Sequence, residues 1–537
     1  MKKSVIICFV LCLSLALSGF LTACGSKKPD SGESENTSIS QSQGESEVSE
    51  NSSPPEINRG WPFVTGSFIQ LWAFSSYTEN KWQKHFDYLK EAGIDTVIIQ
   101  ATCSSVGGKA TSSYFPLSGE IPKTQGYTQQ NLIEPILKVC AEKGIKVFLG
   151  LNNPEEWFSK VFTVWDWCVS EGAFGVSAAR ELYGLYKEKY PDTLYGWYFV
   201  PEYYNGIGTP DKAADFLNIY LDGLTAINPS MPLMLSPFLR SFVSPEETRD
   251  EWAQIFSASR FRPGDIFCCQ DSVGGGGIIL NHLDGYFKAL KEAVDTKPGL
   301  AFWANNEDFT STAKPAPLDR FVKQMEIASE YVEGFVTFAY SHYYSPDKVN
   351  PAIHAAYVNY YNTGEYEKPA SSQRQDEYTG AKTLLSLGRD YTGLPNTRGD
   401  GFDDNGTKLT DGVILSPDGN DARYAGTSSD KGGDIIIDLG VETQNICEFS
   451  LFNTYGSWGI NPVESVTYYV SDDKKSWTKI GTVESYDLEP VEVLGSWLLL
   501  DFKFVPLNPV SGRYVKFEVA NTGFIWISEA CVYSYDE

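Results

Sequence analysis

Two glutamates stand where a carboxyl group can do chemistry. Glu202 closes the run Trp197-Tyr198-Phe199-Val200-Pro201-Glu202, and Glu307 closes Trp303-Ala304-Asn305-Asn306-Glu307. Each follows a stretch suited to a buried strand, which would deliver its carboxyl group to the strand's end. Two carboxyl groups flanking one bond are what glycoside hydrolysis needs, at about 5 Å for a retaining route and further apart for an inverting one. A third acid, Asp271, follows Gln270 at a polar break behind a very apolar run. It can orient a glutamate, bind substrate or serve as the base of an inverting variant.

The elements that must position these acids are legible as a repeat. Eight short apolar runs (66–72, 96–102, 146–152, 195–202, 232–239, 265–271, 300–306 and 334–341) alternate with amphipathic stretches such as 79–92, 129–143 and 318–331. Gly93 and Gly144 fall just past helical patterns, where a left-handed cap is needed. Near-continuous apolar strands alternating with helices imply a parallel sheet, and eight units in one segment imply a closed (β/α)8 TIM barrel. An open doubly wound sheet is the alternative, but residues 67–76 lack its Gly-rich phosphate turn.

Active sites of such barrels lie at the C-terminal strand ends. Those ends gather Gln70, Trp72, Gln100, Asn152, Tyr203, Asp271, Trp303, Asn305, Tyr340 and His342, all expected to bind substrate. Amides and carboxylates suit sugar hydroxyls, and rings suit the apolar faces of pyranoses. Glu155 and Glu156 are expected to open a helix instead. The Gly274–Gly277 run lacks the Lys-Ser/Thr pair of a phosphate loop and is expected to be a mobile rim loop.

With these residues in place, the barrel resembles the large clan of retaining glycoside hydrolases. The resemblance implies that Glu202, ending strand four, is the acid/base and Glu307, ending strand seven, the nucleophile. The clan usually has Asn before the first glutamate. Here Pro201 stands there, so the amide for the sugar 2-hydroxyl must come from elsewhere, Asn152 or Asn205. More closely, 60–361 resembles a bacterial domain-of-unknown-function family of the DUF4434 type, grouped with glycoside hydrolase barrels. Gly66-Ser67-Phe68-Ile69-Gln70, 197–203, Gln270-Asp271-Ser272-Val273-Gly274 and 302–307 carry that likeness.

The chain opens with Lys2 and Lys3, an apolar run over 5–17, and Leu21-Thr22-Ala23-Cys24. This order is that of a lipoprotein signal peptide with a lipobox, so Cys24 is expected to carry the lipid. Residues 25–58 are Ser- and Glu-rich with almost no large apolar side chains, and are expected to be a disordered tether. Its mean reach would be roughly 30 Å. The expected location is the cell surface, outside the cytoplasm, with the membrane touched through the lipid anchor only.

The net charge of −26 argues against nucleic acid and anionic lipid as partners. The expected partner is a carbohydrate, and the expected state a monomer. Seven cysteines follow Cys24 with no zinc-type spacing, and only four histidines exist. Buried thiols are expected, with no cofactor for catalysis.

A polar linker spans 363–382 and separates the barrel, 59–362, from a β-patterned segment, 383–537. Short alternating strands with Gly, Asn and Asp turns predict an all-β jelly-roll sandwich of the galactose-binding kind. Lys408-Leu409-Thr410-Asp411-Gly412, 435–440, 470–477, Gly512-Arg513-Tyr514-Val515-Lys516-Phe517 and Ile527-Ser528-Glu529 resemble discoidin-like (factor five/eight type C) carbohydrate-binding modules. The resemblance implies a structural calcium (Ca2+) held by Asp411 and Glu529, with carbonyls near Lys408 and Thr410 completing the shell. It also places ligand loops at one end, where Arg423, Tyr424, Tyr455, Trp458, Phe524 and Trp526 are candidates. Two readings stay open: a cell-surface glycoside hydrolase with an appended glycan-binding module, or a non-catalytic lipoprotein that captures saccharides for partner proteins. A buried or widely separated glutamate pair would favour capture.

Overall fold

The computed structural model describes residues 59–310, 313–366, 381–395, 402–418, 421–427, 432–456, 460–485, 488–521 and 523–535. Cys24, the tether and Trp458 lie outside them.

Each of the eight apolar runs forms one strand: β1 Gly66–Ile69, β2 Thr96–Ile99, β3 Lys146–Gly150, β4 Leu194–Phe199, β5 Leu233–Leu235, β6 Ile266–Gln270, β7 Ala301–Glu307 and β8 Gly334–Phe338. All neighbours pair in parallel, and β8 pairs back to β1, so the sheet closes into a barrel. Each strand is followed by a helix: α1 Glu79–Glu91, α2 Ile133–Lys143, α3 Trp165–Tyr186, α4 Pro210–Ile227, α5 Pro245–Ala258, α6 Leu283–Val294, α7 Leu318–Ala328 and α8 Pro351–Thr363. Local sequence sets their ends. Ser244 caps α5 by accepting from Glu247 N at 3.2 Å while the Glu247 carboxylate accepts from Ser244 N at 3.1 Å. Gly144, at φ 64°, ends α2 in the left-handed conformation.

Side-chain parity along the strands decides what faces the barrel interior. Phe68, Ile98, Phe148, Tyr198, Val200, Met234, Ile266, Cys268 and Val336 form one buried inner cluster, with Trp303 packed on it. Counting by twos puts Gln270, Asn305 and Glu307 on the inner face. Asp271, Asn306 and Asp308 then face the helix layer. One feature of the barrel was not in the repeat: Cys103–Val106, Lys109–Ser113, Lys123–Gln129 and Asn152–Pro154 build a four-stranded sheet beyond β2 and β3.

The C-terminal region is antiparallel. Its strands include β9 Gly433–Tyr455, β10 Ser465–Ser471, β11 Thr478–Glu484, β12 Trp497–Asp501, β13 Val510–Ala520 and β14 Ile525–Tyr535. The first half of β9 pairs with β13, and its second half pairs with β14 and β12. Register shifts between Asp438 and Ile446 let this one strand serve two layers, with Ile435, Tyr468, Leu500, Phe517 and Ile527 buried between them. The chain is thus a TIM barrel followed by a β-sandwich. Among the described residues, no helix is long and apolar enough to cross a membrane, and Cys103, Cys140, Cys168, Cys268, Cys269, Cys447 and Cys531 are all buried.

Candidate active site

Glu202 follows β4 on the inner face. Its charge acts on the interior Tyr198 ring and on Glu307, which sets both glutamates over the same barrel interior. Trp157 Nε1 donates to the Glu202 carbonyl at 3.0 Å and fixes its backbone. The Glu202 side chain keeps partial access to solvent. Enclosure by protein pushes its carboxyl up to about 7.

Glu307 ends β7 and is 2% exposed. Gly275 N donates to its Oε2 at 2.6 Å. The approach of this loop requires glycine: a Cβ on Gly274 would stand 2.8 Å from Glu307 Cβ and 2.4 Å from the Phe309 carbonyl. Burial raises the Glu307 pKa most, and the neighbouring Asp271 charge raises it further, while the Gly275 N–H and Arg320 pull it down. Glu202 adds a smaller upward push.

Asp271 faces the helix layer, fully buried. It accepts from Gln324 Nε2 at 2.5 Å, Asn306 Nδ2 at 2.9 Å, Val273 N at 3.1 Å and Glu307 N at 3.3 Å. Burial raises its pKa, and these donors oppose the rise. Its position makes it a support of the Glu307 backbone. Gln324 and Arg320, both on α7, donate to the Glu307 carbonyl at 3.1 and 3.2 Å. Asp308, also fully buried, has a carboxyl pushed up to about 8, chiefly by burial.

The other sequence-predicted positions divide into two groups. Gln70 and Gln100 join at the mouth, Nε2 to Oε1 at 2.9 Å. Asn305 donates to Ser236 Oγ at 3.1 Å and leaves its buried Oδ1 without a hydrogen-bond partner, an acceptor on the inner face two residues before Glu307. Trp72 is 55% exposed after β1. His342 Nε2 accepts from Gln70 N at 3.2 Å, and burial lowers its pKa to about 3, so the ring is neutral at physiological pH.

The second group is spent on packing. Asn152 donates to Ser105 Oγ and Glu171 Oε2 and accepts from Tyr220. Asn205 exchanges bonds with Arg240 and Thr248. Neither amide is free for a sugar hydroxyl. Tyr203 stacks on Trp157 at 5.8 Å and donates to Ala213 O. Tyr340 is bonded to His354 Nδ1 at 2.9 Å, and Trp303 packs on the inner cluster two residues before Asn305.

Sequence reasoning missed the Gly275 N–H, Asn306, Gln324 and Arg320, which surround Glu307. It also missed a Ser341–His85–Asp347 chain, with Oγ to Nε2 at 3.1 Å and Nδ1 to Oδ2 at 3.2 Å. Ser341 and His85 are fully buried, so this chain ties α1 to the segment after β8 rather than facing a substrate.

In the sandwich, Tyr424 and Trp497 stack on the Trp526 ring at 5.2 and 5.3 Å, and all three rings, with Tyr455, are buried. Arg423 is exposed and paired with Asp421 at 2.5 Å, and Phe524 is partly buried. Among the described residues, no group of three or more His, Cys, Asp or Glu could hold a metal ion. Asp411 and Glu529 do fit a two-carboxylate share of a calcium site. Glu529 is fully buried, accepts from Gly412 N at 2.9 Å and leaves Oε2 without a partner. Burial and the Asp411 charge hold its carboxyl up at about 8, an arrangement that a hard cation with further carbonyl oxygens would relieve.

A search of curated proteins finds no significant relative. Among solved structures, an alpha-L-fucosidase by assignment from Bacteroides thetaiotaomicron VPI-5482 is 20% identical, with 56% of this chain and 96% of that one covered and a TM-score of 0.47. A GH29 fucosidase of Ruminococcus gnavus in complex with fucose is 13% identical over 89% and 93%, with a TM-score of 0.29. The Clostridium perfringens protein CpGH89CBM32-6 is 16% identical over 28% and 99%, with a TM-score of 0.19. The model of the family described as Domain of unknown function (DUF4434) matches residues 64–350, more than half of the chain, and the protein belongs to that family.

Proposed function

We propose that the protein is a retaining glycoside hydrolase acting on a poly- or oligosaccharide outside the cytoplasm. Glu202 is the acid/base and Glu307 the nucleophile. The observation that carries this reading is the pair itself: two carboxyl groups at the ends of β4 and β7 on the inner face of one barrel, both with raised pKa values, the Glu202 charge adding to the rise at Glu307. Glu202 has a carboxyl near neutrality and suits the acid. Burial and Asp271 raise the Glu307 carboxyl to about 8 against the Gly275 N–H and Arg320, which favour its charged form, so its role as nucleophile rests on its place at the end of β7 and not on the lower pKa of the two.

In the first step the Glu307 carboxylate attacks the anomeric carbon while Glu202 gives its proton to the departing oxygen. In the second, Glu202 takes a proton from water, whose oxygen displaces Glu307 from the sugar. The Asn305 Oδ1, which has no hydrogen-bond partner in the protein, on this reading accepts from a sugar hydroxyl. On this reading Cys24 carries a lipid that holds the chain at the cell surface. The sandwich is a discoidin-like module that binds glycan at one end, with calcium held by Asp411 and Glu529 as a structural ion.

One observation favours the capture reading. Glu307 is 2% exposed and tied to Gly275, so the barrel could hold a sugar without cleaving it. A panel of polysaccharides and oligosaccharides offered to the chain and to Glu307→Gln separates the two. Cleavage by the first and binding without cleavage by the second support hydrolysis. Tight binding of one glycan by both, with cleavage by neither, establishes capture.

A further inference from the structure

The loop from Asp271 to His282 connects two distant things. At its start, Gly275 N holds Glu307 Oε2 at 2.6 Å. At its end, Ile279 is 5% exposed and belongs to the buried cluster that forms the apolar core of the sandwich. Asn281 Nδ2 donates to the Leu488 carbonyl of the sandwich at 2.9 Å. Glu489 is close enough for its charge to act on His282. A cavity of about 220 Å³ is lined by Gly274–Gly276 of the loop and by Pro462 and Glu464 of the sandwich. The sandwich therefore grips the loop at Ile279 and Asn281.

Between these ends the loop has little slack. Ser272 Oγ accepts from Leu239 N at 2.8 Å, Ser241 N donates to Gly277 O at 3.0 Å, and Gly277 N closes on Ser272 O at 2.8 Å. The run expected to be a mobile rim is thus tied on the barrel side and plugged into the sandwich on the other.

We propose that the C-terminal sandwich is part of the catalytic unit: by seating Ile279 and Asn281 it fixes the loop that holds the Glu307 carboxylate. Ile279 and Asn281 are then positioning residues for Glu307. The inference rests on the assignment of Glu307 as nucleophile for its catalytic consequence, but not for the mechanical coupling. The groups that set the Glu307 ionisation are Asp271 after β6, Glu202 after β4, Arg320 on α7 and the Gly275 N–H. Loosening the loop weakens the last of these and leaves the other three in place. The Glu307 pKa then rises, and the acidic limb of the pH profile moves to higher pH.

The test uses the full chain with Ile279→Ala, Asn281→Ala and the surface control Leu507→Ser, whose side chain is 57% exposed. Backbone amide exchange of 272–280 is measured alongside kcat/KM against pH. The two loop variants should exchange these amides about tenfold faster or more, with β1–β8 unchanged, and should lose about tenfold in kcat/KM. Their acidic limb should move up. Unchanged loop exchange in both variants overturns the proposal, as does faster exchange with an unmoved pH profile. An unmodified chain that cleaves no glycan would refute hydrolysis instead, and the exchange data would still decide whether the sandwich holds the loop.

Discussion

Asp271→Asn has two consequences that can be measured apart. The carboxylate accepts two side-chain amides and two backbone N–H groups, all within 3.3 Å. Asparagine keeps the volume but removes the charge and points an NH2 group at donors. Gln324 cannot turn its amide to meet it without losing its bond to the Glu307 carbonyl. Asn306 can, since its Oδ1 has no hydrogen-bond partner. Hydrogen bonds to a charged group contribute about 1.5–3 kcal/mol each, and a buried unmet donor costs about 1–3 kcal/mol. With Asn306 repairing part of the loss, the net cost is about 2–4 kcal/mol, and the Tm of a barrel of about 300 residues falls by roughly 3–6 °C.

The second consequence is electrostatic. The Asp271 charge is the largest influence on Glu307 after burial, and it raises the pKa. Removing it lowers the Glu307 pKa, so the acidic limb of kcat/KM moves to lower pH, opposite to the shift expected on loosening the Gly275 loop. Thermal unfolding and pH-rate profiles on one glycan read both effects. An acidic limb that stays put refutes the electrostatic argument. Loss of hydrolysis at every pH in a folded variant would show that the Asp271 carboxylate is needed to hold Glu307 in place.

The Asp308 carboxyl holds its proton up to about 8 in the folded chain, against an ordinary 3.8. The folded state binds more protons than the unfolded one across that window, so stability falls as pH rises through it. Asp308→Asn should remove that fall, and its stability advantage over the unmodified chain should grow by a few kcal/mol toward pH 8; a pH-independent difference would refute this. Calcium should raise the melting temperature of the full chain at pH 8 and less at pH 6, because protons compete for Glu529, whose carboxyl is held at about 8. Glu529→Gln should abolish the effect, and identical melting in calcium and in chelator at pH 8 would exclude the ion. Cys24→Ser should move the protein from the detergent phase to the aqueous phase in a partition assay; retention in detergent would count against the lipid anchor.

Much of this geometry is written in the chain, but not all of it in its hydrophobicity. The eight strands were legible because parallel barrel strands are apolar on both faces and bounded by helices. The same two-sided burial hides parity. Nothing in Ile266-Phe267-Cys268-Cys269-Gln270-Asp271 tells which face is inner, so Asp271 and Asn305 look equally like site residues until Cys268 is found in the inner cluster and Phe267 outside it. Asn152 was misleading for another reason: its partners Ser105, Glu171 and Tyr220 come from an inserted sheet and two helices. A signal did exist in Glu171, an acid on the same α3 face as Trp167, Phe174 and Ala178, since an acid on an apolar stripe demands a buried partner. The grip of the sandwich on Ile279 had no local signature, because it depends on how two separately folded patterns meet.

Trapping the sugar on the enzyme distinguishes the roles of Glu202 and Glu307. Glu202→Gln can attack an aryl glycoside whose leaving group needs no proton, but it lacks the base that would let water release the sugar. Intact-mass measurement of that variant with such a glycoside, followed by peptide mapping, should find one glycosyl group per chain, attached to Glu307. An adduct on another residue, or efficient turnover with inverted anomeric configuration and no adduct, would contradict the assignment of the two glutamates.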